Sequence, residues 1–175
     1  MQNSRSDILL IGMPMSGKTA IGRALSEKMK FKFSDMDRII EVKKNQSIDN
    51  IFKNKGEEIF RIYEKECFED LLNKNSHILS VGGGAINSLT LKISLTFRYR
   101  IWLKASIPCL IARYGNNRKK RPLLYNTNNI KESISDLYNV RKHFYKNCSN
   151  IIIDTTEKSI NQIIDESIIK IDELN

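Results

Sequence analysis

The fold is decided by one stretch near the start of the chain, Asp7-Ile8-Leu9-Leu10-Ile11-Gly12-Met13-Pro14-Met15-Ser16-Gly17-Lys18-Thr19. Its first half is a continuous apolar run that ends in glycine, which is typical of a parallel strand buried on both faces. Its second half fits the pattern GxxxxGK[ST], in which successive main-chain N–H groups wrap a polyphosphate and a helix N-terminus adds a positive dipole. Apolar residues at Ile21, Leu25 and Met29 predict the helix that this motif requires. The stretch therefore predicts a phosphate-binding loop.

Particular residues of this phosphate loop (residues 12–19) have separate chemical tasks. Lys18 is expected to reach the β- and γ-phosphates of a nucleotide, and the hydroxyl of Thr19 is expected to hold Mg²⁺. Contacts with the nucleotide are expected along the loop and into the first helical turn, from Gly12, Met13, Pro14, Met15, Ser16, Gly17, Lys18, Thr19 and Ala20.

Beyond the loop, short apolar strands alternate with helices. Strands are predicted at residues 31–35, 78–81, 99–103 and 150–154, and helices at 17–29, 47–53, 57–72, 106–113, 130–148 and 159–174. The polar, basic segment 114–129 is predicted to be a loop. This alternation predicts an α/β fold, with helices on both faces of a parallel sheet and ligands beyond the carboxyl ends of its strands.

The composition fits one globular domain. The chain has 175 residues, of which 41% are hydrophobic and 28% charged, which are ordinary values for a single domain. No early apolar run approaches the roughly 20 residues of a membrane span, and nothing near Met1 resembles a signal peptide. The three cysteines form no CxxC pair, which favours reduced thiols. We therefore expect a cytosolic protein without a membrane partner.

A net charge of +9 favours anionic partners, either phosphorylated small molecules or nucleic acid. The motifs narrow this choice. A GTPase switch would carry a DxxG segment and an NKxD-type guanine reader, and the sequence has neither. A nucleic-acid-dependent ATPase is usually a longer chain. The class of small-molecule and nucleotide kinases is therefore favoured.

Two carboxylates follow the second predicted strand. If Asp35 and Asp37 are alternate residues of an extended segment, they point the same way and face one cleft. One can then orient Mg²⁺, while the other hydrogen-bonds or deprotonates an acceptor hydroxyl. The alternative is a solvated acidic turn or a helix cap.

Two arginines and three glycines suggest how an acceptor is held. Arg141 falls on the apolar stripe of its predicted helix, where a guanidinium needs an anionic partner such as a planar carboxylate. Arg61 lies beside Phe60 and several glutamates, and a surface ion pair is its alternative. Gly82-Gly83-Gly84 at a strand end lets a ligand approach bare backbone. The basic segment 118–124 suits a lid over phosphates better than a nucleic-acid patch.

In this order, the segments resemble the shikimate kinase family. The markers are the phosphate loop, Asp35-x-Asp37, Phe60-Arg61-x-x-Glu64, Gly82–Gly84, Arg121-Pro122-Leu123-Leu124 and Tyr138…Arg141…Tyr145. The resemblance covers nearly the whole chain. It implies a three-layer sandwich around a five-stranded parallel sheet ordered 2-3-1-4-5. It also implies an acceptor-binding region around residues 36–64 and a mobile lid around residues 114–129.

The activity that the resemblance implies is ATP-dependent phosphorylation of the 3-hydroxyl of shikimate, on the route to chorismate and the aromatic amino acids. Catalytic roles would fall on Lys18, Asp37 and Arg121, and further ATP contacts on Arg113, Arg121 and Thr155. Mg²⁺ would be held by Thr19 and Asp35. Glu64 would brace Arg61. Shikimate would be bound by Asp37, Arg61, Gly82, Gly83, Gly84 and Arg141.

Two further expectations follow from the resemblance. The protein is expected to act as a monomer and to bind neither nucleic acid nor membranes. Met15 departs from the family, which usually has glycine there, and its side chain would narrow the loop. The open alternatives are a gluconate- or nucleotide-type kinase and a basic nucleic-acid-binding module.

Overall fold

Five short parallel strands form the centre of the fold in the computed structural model, which describes residues 8–71, 77–85, 96–115 and 129–175. The strands are β1 Ile8–Ile11, β2 Lys32–Asp35, β3 His77–Ser80, β4 Tyr99–Lys104 and β5 Ile151–Asp154. In the same part of the chain, the helices are α1 Lys18–Met29, α2 Met36–Lys44, α3 Ile48–Leu71, α4 Ile107–Gly115, α5 Ile130–Cys148 and α6 Ile160–Asp172.

The order of the strands across the sheet is β2-β3-β1-β4-β5. Strand β1 pairs in parallel with β3, where Ile8 lies beside Ile78, and with β4, where Ile8 lies beside Tyr99. The remaining pairs, β2 with β3 and β4 with β5, are also parallel. The predicted order 2-3-1-4-5 is thus confirmed, and it brings the residues that follow β1, β2 and β3 to one edge of the sheet.

The apolar run of β1 fills the cores on both faces of the sheet, because successive side chains of a strand point in opposite directions. Leu9 and Ile11 pack in a core with residues of α2, α3, α4 and α5. Ile8 and Leu10 pack in the other core, with residues of α1 and α6. All four side chains are fully buried, and the predicted three-layer architecture is confirmed.

Helix α2 was not predicted, and the extended geometry predicted for Asp35 and Asp37 is wrong. Asp35 ends β2 and also caps α2, because its Oδ1 accepts a hydrogen bond from the Arg38 amide at 3.4 Å. Asp37 lies in the first helical turn. Met36 and Ile40, four residues apart, are buried under this helix. The chain therefore turns from strand to helix without a loop.

The two helices predicted at 47–53 and 57–72 follow one another within α3 and are separated by a kink at Gly56, where φ is 81° and ψ is 174°, values that are not helical. A left-handed φ favours glycine at this point because it has no Cβ. Tyr114, which was predicted to begin the lid, instead lies in α4 and is 9% exposed. The other lid residues predicted to act on phosphate, Arg121 among them, fall outside the described residues.

A buried histidine and the three cysteines belong to the described part of the chain. His77 is a buried core residue whose Nε2 lies 2.7 Å from Ser34 Oγ. Cys67, Cys109 and Cys148 form no disulfide bond within the part of the chain that the structure describes. None of the described helices is long and apolar enough to cross a bilayer.

Candidate functional site

The phosphate loop connects β1 to α1 and depends on two glycines. At Gly12, where φ is 146°, an added Cβ would lie only 2.6 Å from the Leu103 carbonyl oxygen. At Gly17, φ is 95°, and this residue caps the N-terminus of α1. Because L side chains rarely adopt such φ values, these two positions explain the glycine spacing of the motif.

Lys18 lies at the start of α1 with its ammonium group folded over the loop. Its Nζ donates hydrogen bonds to the carbonyl oxygens of Gly12 and Met13, each at 3.0 Å, and the residue is 9% exposed. A nearly buried ammonium held against the carbonyl oxygens of the phosphate loop is suited to bind phosphate oxygens.

Met15 shows how the loop accommodates a residue other than glycine. Its φ is 66°, a left-handed conformation that costs an L residue roughly 1–2 kcal/mol. Its side chain packs against the core that lies between the sheet and helices α2, α3, α4 and α5. Its carbonyl accepts a hydrogen bond from Arg113 at 3.3 Å. Packing of the side chain and a bond to the carbonyl hold Met15 in this conformation.

Two oxygen ligands meet where β2 ends beside α1. Thr19 Oγ1 donates to Asp35 Oδ2 at 2.5 Å, and both residues line the same cavity. A hydroxyl and a carboxylate are the hard oxygen donors that Mg²⁺ prefers, usually together with waters and substrate phosphates. The residues thus fit the predicted metal site. No cluster of three or more His, Cys, Asp or Glu suited to a metal occurs within the described ranges.

A cavity of about 500 Å³ extends from Thr19 and Pro14 across the carboxyl edge of the sheet. It brings together every acceptor-side residue that was predicted from the sequence. Those lining it are Asp35, Asp37, Arg61, Gly82, Gly83, Gly84 and Arg141.

At one end of the cavity, two guanidinium groups converge on Gly84. An ideal Cβ on Gly84 would lie 2.5 Å from Arg61 Nη2 and 2.9 Å from Arg141 Nη2, so a side chain at this position would displace both guanidinium groups. Arg141 is 7% exposed, and its Nη1 has no hydrogen-bond partner among the residues described. A buried guanidinium with an unused donor indicates a site for an anion.

Glu64 fixes Arg61 from the buried side. Its Oε2 accepts a hydrogen bond from Arg61 Nη1 at 2.6 Å, while Glu57 on the exposed side accepts from Arg61 Nη2 at 2.7 Å. The predicted bracing contact is therefore present. Burial raises the pKa of Glu64 to about 7, and the nearby charge of Asp37 acts in the same direction, while Arg61 and Arg141 oppose both.

The raised pKa of Glu64 predicts that the free energy of unfolding depends on pH. Because the folded-state pKa of Glu64 lies above its ordinary value of 4.5, the folded chain binds more protons than the unfolded chain between pH 4.5 and 7. Its stability relative to the Glu64→Gln variant should therefore fall as the pH rises through this window. Urea denaturation of both proteins at pH 5 and pH 7.5 measures the difference, and an equal difference at both pH values would contradict the prediction.

Asp37 lies across the same glycine segment. An ideal Cβ on Gly82 would lie 2.9 Å from Asp37 Oδ1 and 2.8 Å from Glu64 Oε1. The carboxylate of Asp37 thus borders bare backbone in the middle of the cavity, between the phosphate loop and the arginine pair. The cleft predicted for it exists, although a helix rather than a strand places it there.

Arg113 and Thr155 lie together on the other side of the phosphate loop. Arg113 donates to the Thr155 carbonyl at 2.6 Å, to Thr155 Oγ1 at 3.2 Å and to the Met15 carbonyl at 3.3 Å. The guanidinium therefore links the loop to the β5–α6 turn. Its predicted contact with a nucleotide stays a prediction.

Several residues that line the cavity were not predicted from the sequence. Phe52, Phe60 and Leu137 supply apolar surface there, and none of them was predicted to line the site. Tyr145 was named only as a marker of the resemblance, without a role, yet its hydroxyl donates to the Gly83 carbonyl at 2.6 Å. Its position four residues after Arg141, on the same face of α5, was the signal that it lies near the site.

Comparisons with known proteins agree with this geometry. The family model "Shikimate kinase" matches residues 14–172. A shikimate kinase of Flavobacterium psychrophilum is 40% identical over 91% of this chain and 95% of its own length. Another, of a Sulfurihydrogenibium species, is 34% identical over 94% and 97%. The solved structure of the Acinetobacter baumannii shikimate kinase in complex with shikimate is similar with a TM-score of 0.92 at 27% identity, covering 97% of this chain and 94% of that one.

Proposed function

Because the chain belongs to the shikimate kinase family, we infer that it transfers the γ-phosphoryl group of ATP to the 3-hydroxyl of shikimate. The observation that carries this inference is the convergence of Arg61 and Arg141 on Gly84. It provides two guanidinium groups for one carboxylate, in a cavity that also contains the end of the phosphate loop. Bidentate arginine contacts fix a planar carboxylate in both position and orientation.

The acceptor is held so that one hydroxyl faces the phosphate loop. The arginine pair would bind the carboxylate of shikimate, the apolar side chains would cover its ring, and bare backbone at Gly82–Gly84 would border its hydroxyl groups. Asp37 would accept a hydrogen bond from the reacting hydroxyl. This arrangement converts an encounter of two substrates into a reaction between two positioned atoms.

In the reaction, the hydroxyl oxygen forms a bond to the γ-phosphorus while the bond from that phosphorus to the bridging oxygen of ADP breaks. The proton of the hydroxyl passes to Asp37 and from there to solvent. Phosphoryl transfer of this kind depends mainly on positioning and on stabilising charge. Lys18 would exchange its two carbonyl contacts for phosphate oxygens, and Arg121 is proposed to add a second cation.

Mg²⁺ is proposed to be held by Thr19 and Asp35 together with phosphate oxygens. When bound, it neutralises part of the negative charge of the triphosphate. We further propose that the protein acts in the cytosol as a monomer, with Arg113 and Thr155 on the adenine side of the nucleotide and without a nucleic-acid or membrane partner.

An assay of ADP release tests the proposed function. Purified protein with ATP and Mg²⁺ is supplied in turn with shikimate, quinate, gluconate and nucleoside monophosphates. We expect turnover with shikimate to exceed turnover with gluconate and with nucleoside monophosphates, because only a carboxylated ring with a suitably placed hydroxyl satisfies the arginine pair and Asp37 together. Quinate, which is also a carboxylated ring, tests how closely the site distinguishes between such rings. Preferential turnover of gluconate or of a nucleotide would overturn the proposal.

A further inference from the structure

The acceptor turn, defined as Gly82–Gly84, and the phosphate loop are in direct contact. An ideal Cβ on Gly83 would lie 2.7 Å from Pro14 Cδ and 3.2 Å from the Pro14 nitrogen. The proline ring is rigid and cannot turn aside as a long side chain would. The separation of the two loops is therefore set at this contact, where one binds the acceptor and the other the phosphates.

One buried side chain, that of Tyr145, contacts both the acceptor turn and the phosphate loop. Tyr145 of α5 is fully buried, and its hydroxyl donates to the Gly83 carbonyl at 2.6 Å. The same hydroxyl oxygen lies 3.8 Å from Met13 Sδ in the phosphate loop. Met13 is 2% exposed, and its carbonyl accepts a hydrogen bond from Lys18.

The position of Tyr145 is itself firmly determined. Its ring packs against Trp102 of β4 with 5.8 Å between the ring centroids. Burial raises its pKa to about 12, although the nearby charge of Arg141 and a hydrogen bond with the Arg141 side chain act in the opposite direction. The hydroxyl therefore keeps its proton at any working pH and remains a donor to Gly83. Helix α5 thus carries both Arg141, at the acceptor end of the cavity, and Tyr145, which contacts the two loops.

We propose that Tyr145 is a positioning residue that holds the acceptor turn and the phosphate loop at the separation required for transfer. It touches neither substrate. It acts through the Gly83 carbonyl and Met13, and so on the distance between the acceptor hydroxyl and the γ-phosphorus. The proposal rests on the proposed function, since it concerns the two substrates of that reaction.

The test compares two tyrosine hydroxyls. Tyr145→Phe removes the bond to Gly83 and retains the ring against Trp102. Tyr99→Phe is the matched control, because Tyr99 is also buried and its hydroxyl donates to Asn175 Oδ1, at the amino end of the sheet away from the cavity. Each variant loses one buried hydroxyl, so a general loss of stability should affect both.

We expect Tyr145→Phe to lower kcat about tenfold, because small errors in the position of reacting groups have large effects on rate. The KM for ATP should change by less than about twofold, and the KM for shikimate should change by a smaller factor than kcat, since both guanidinium groups remain although Arg141 loses its hydrogen bond with the tyrosine hydroxyl. Tyr99→Phe should retain the kcat of the wild-type protein. An unchanged kcat in Tyr145→Phe, a rise of KM alone, or an equal loss of kcat in both variants would overturn the proposal.

If Tyr145→Phe does not fold, a second variant tests whether the separation of the two loops controls kcat. Gly83→Ala places a methyl group against Pro14 and pushes the two loops apart directly, so it should also lower kcat. Because Gly83 borders the acceptor, the KM for shikimate should rise as well, and the fall of kcat is the result that tests the separation of the loops. An unchanged kcat in Gly83→Ala would overturn the proposal. Failure of the proposed function is distinguishable, because wild-type protein would then not turn over shikimate in the same assay.

Discussion

Replacing Lys18 by alanine is expected to lower kcat by about two to three orders of magnitude. Removal of one preorganised group that stabilises charge in a transition state typically has an effect of about 10² to 10³ on kcat. Lys18 is such a group, since its ammonium is nearly buried and is held at the mouth of the phosphate loop by two carbonyl oxygens. Its phosphate contacts should be strongest in the transition state, so the loss should appear in kcat.

The matched control is Lys28→Ala, which removes the same charge from an exposed position in the last turn of α1. Both variants are compared by steady-state kinetics and by thermal melting. We expect Lys28→Ala to retain wild-type turnover and Lys18→Ala to melt as a folded protein. Near-normal turnover in folded Lys18→Ala would contradict the role assigned to the phosphate loop.

Arg141→Lys is expected to raise the KM for shikimate at least about tenfold, which corresponds to roughly 1.4 kcal/mol. Lysine keeps the positive charge but lacks the planar pair of donors, so it is not a conservative change at a bidentate site. Arg141 is buried, and Nη2 faces Arg61 over Gly84. The KM for ATP should change little, because this pair lies at the acceptor end of the cavity.

Two controls accompany this measurement. Arg98→Lys changes an exposed arginine beside Tyr99 and should leave both KM values unaltered. A shikimate analogue with its carboxylate reduced to an alcohol should be a poor acceptor for wild-type protein and lose little more with Arg141→Lys. A variant that binds shikimate normally but ATP weakly would instead place Arg141 on the nucleotide side.

The approach of Arg61 and Arg141 could be foreseen only in part. An arginine on an apolar helical stripe indicated that Arg141 lies on the buried side and needs an anion. The residues between Arg61 and Arg141 give no indication that both guanidinium groups meet over Gly84. That meeting depends on how α3 and α5 pack on one face of the sheet, which local spacing does not specify.

Helix α2 shows a different limit of local reasoning. Ile39, Ile40 and Val42 are β-branched, and a strand precedes them without an intervening turn, so the segment lacked an ordinary helix start. The capping residue Asp35 is also the last residue of β2. One residue with two structural roles is recognised only when the Met36 and Ile40 side chains are seen packed in the core.

The sequence by itself determined the parallel sheet, the phosphate loop and the set of polar residues at the strand ends. Each of these features depends on a pattern within a short segment of the sequence, such as an apolar run, the spacing of two glycines or the period of a helix. Tertiary structure alone decided how Glu64 is buried against Arg61, how Gly83 abuts Pro14 and how Tyr145 supports both loops. Tyr145 and Gly83 are 62 positions apart, and their bond forms because β1 and β3 are adjacent and α5 covers them. Contacts between distant segments depend on this packing, and so the spacing of residues within one segment does not reveal them.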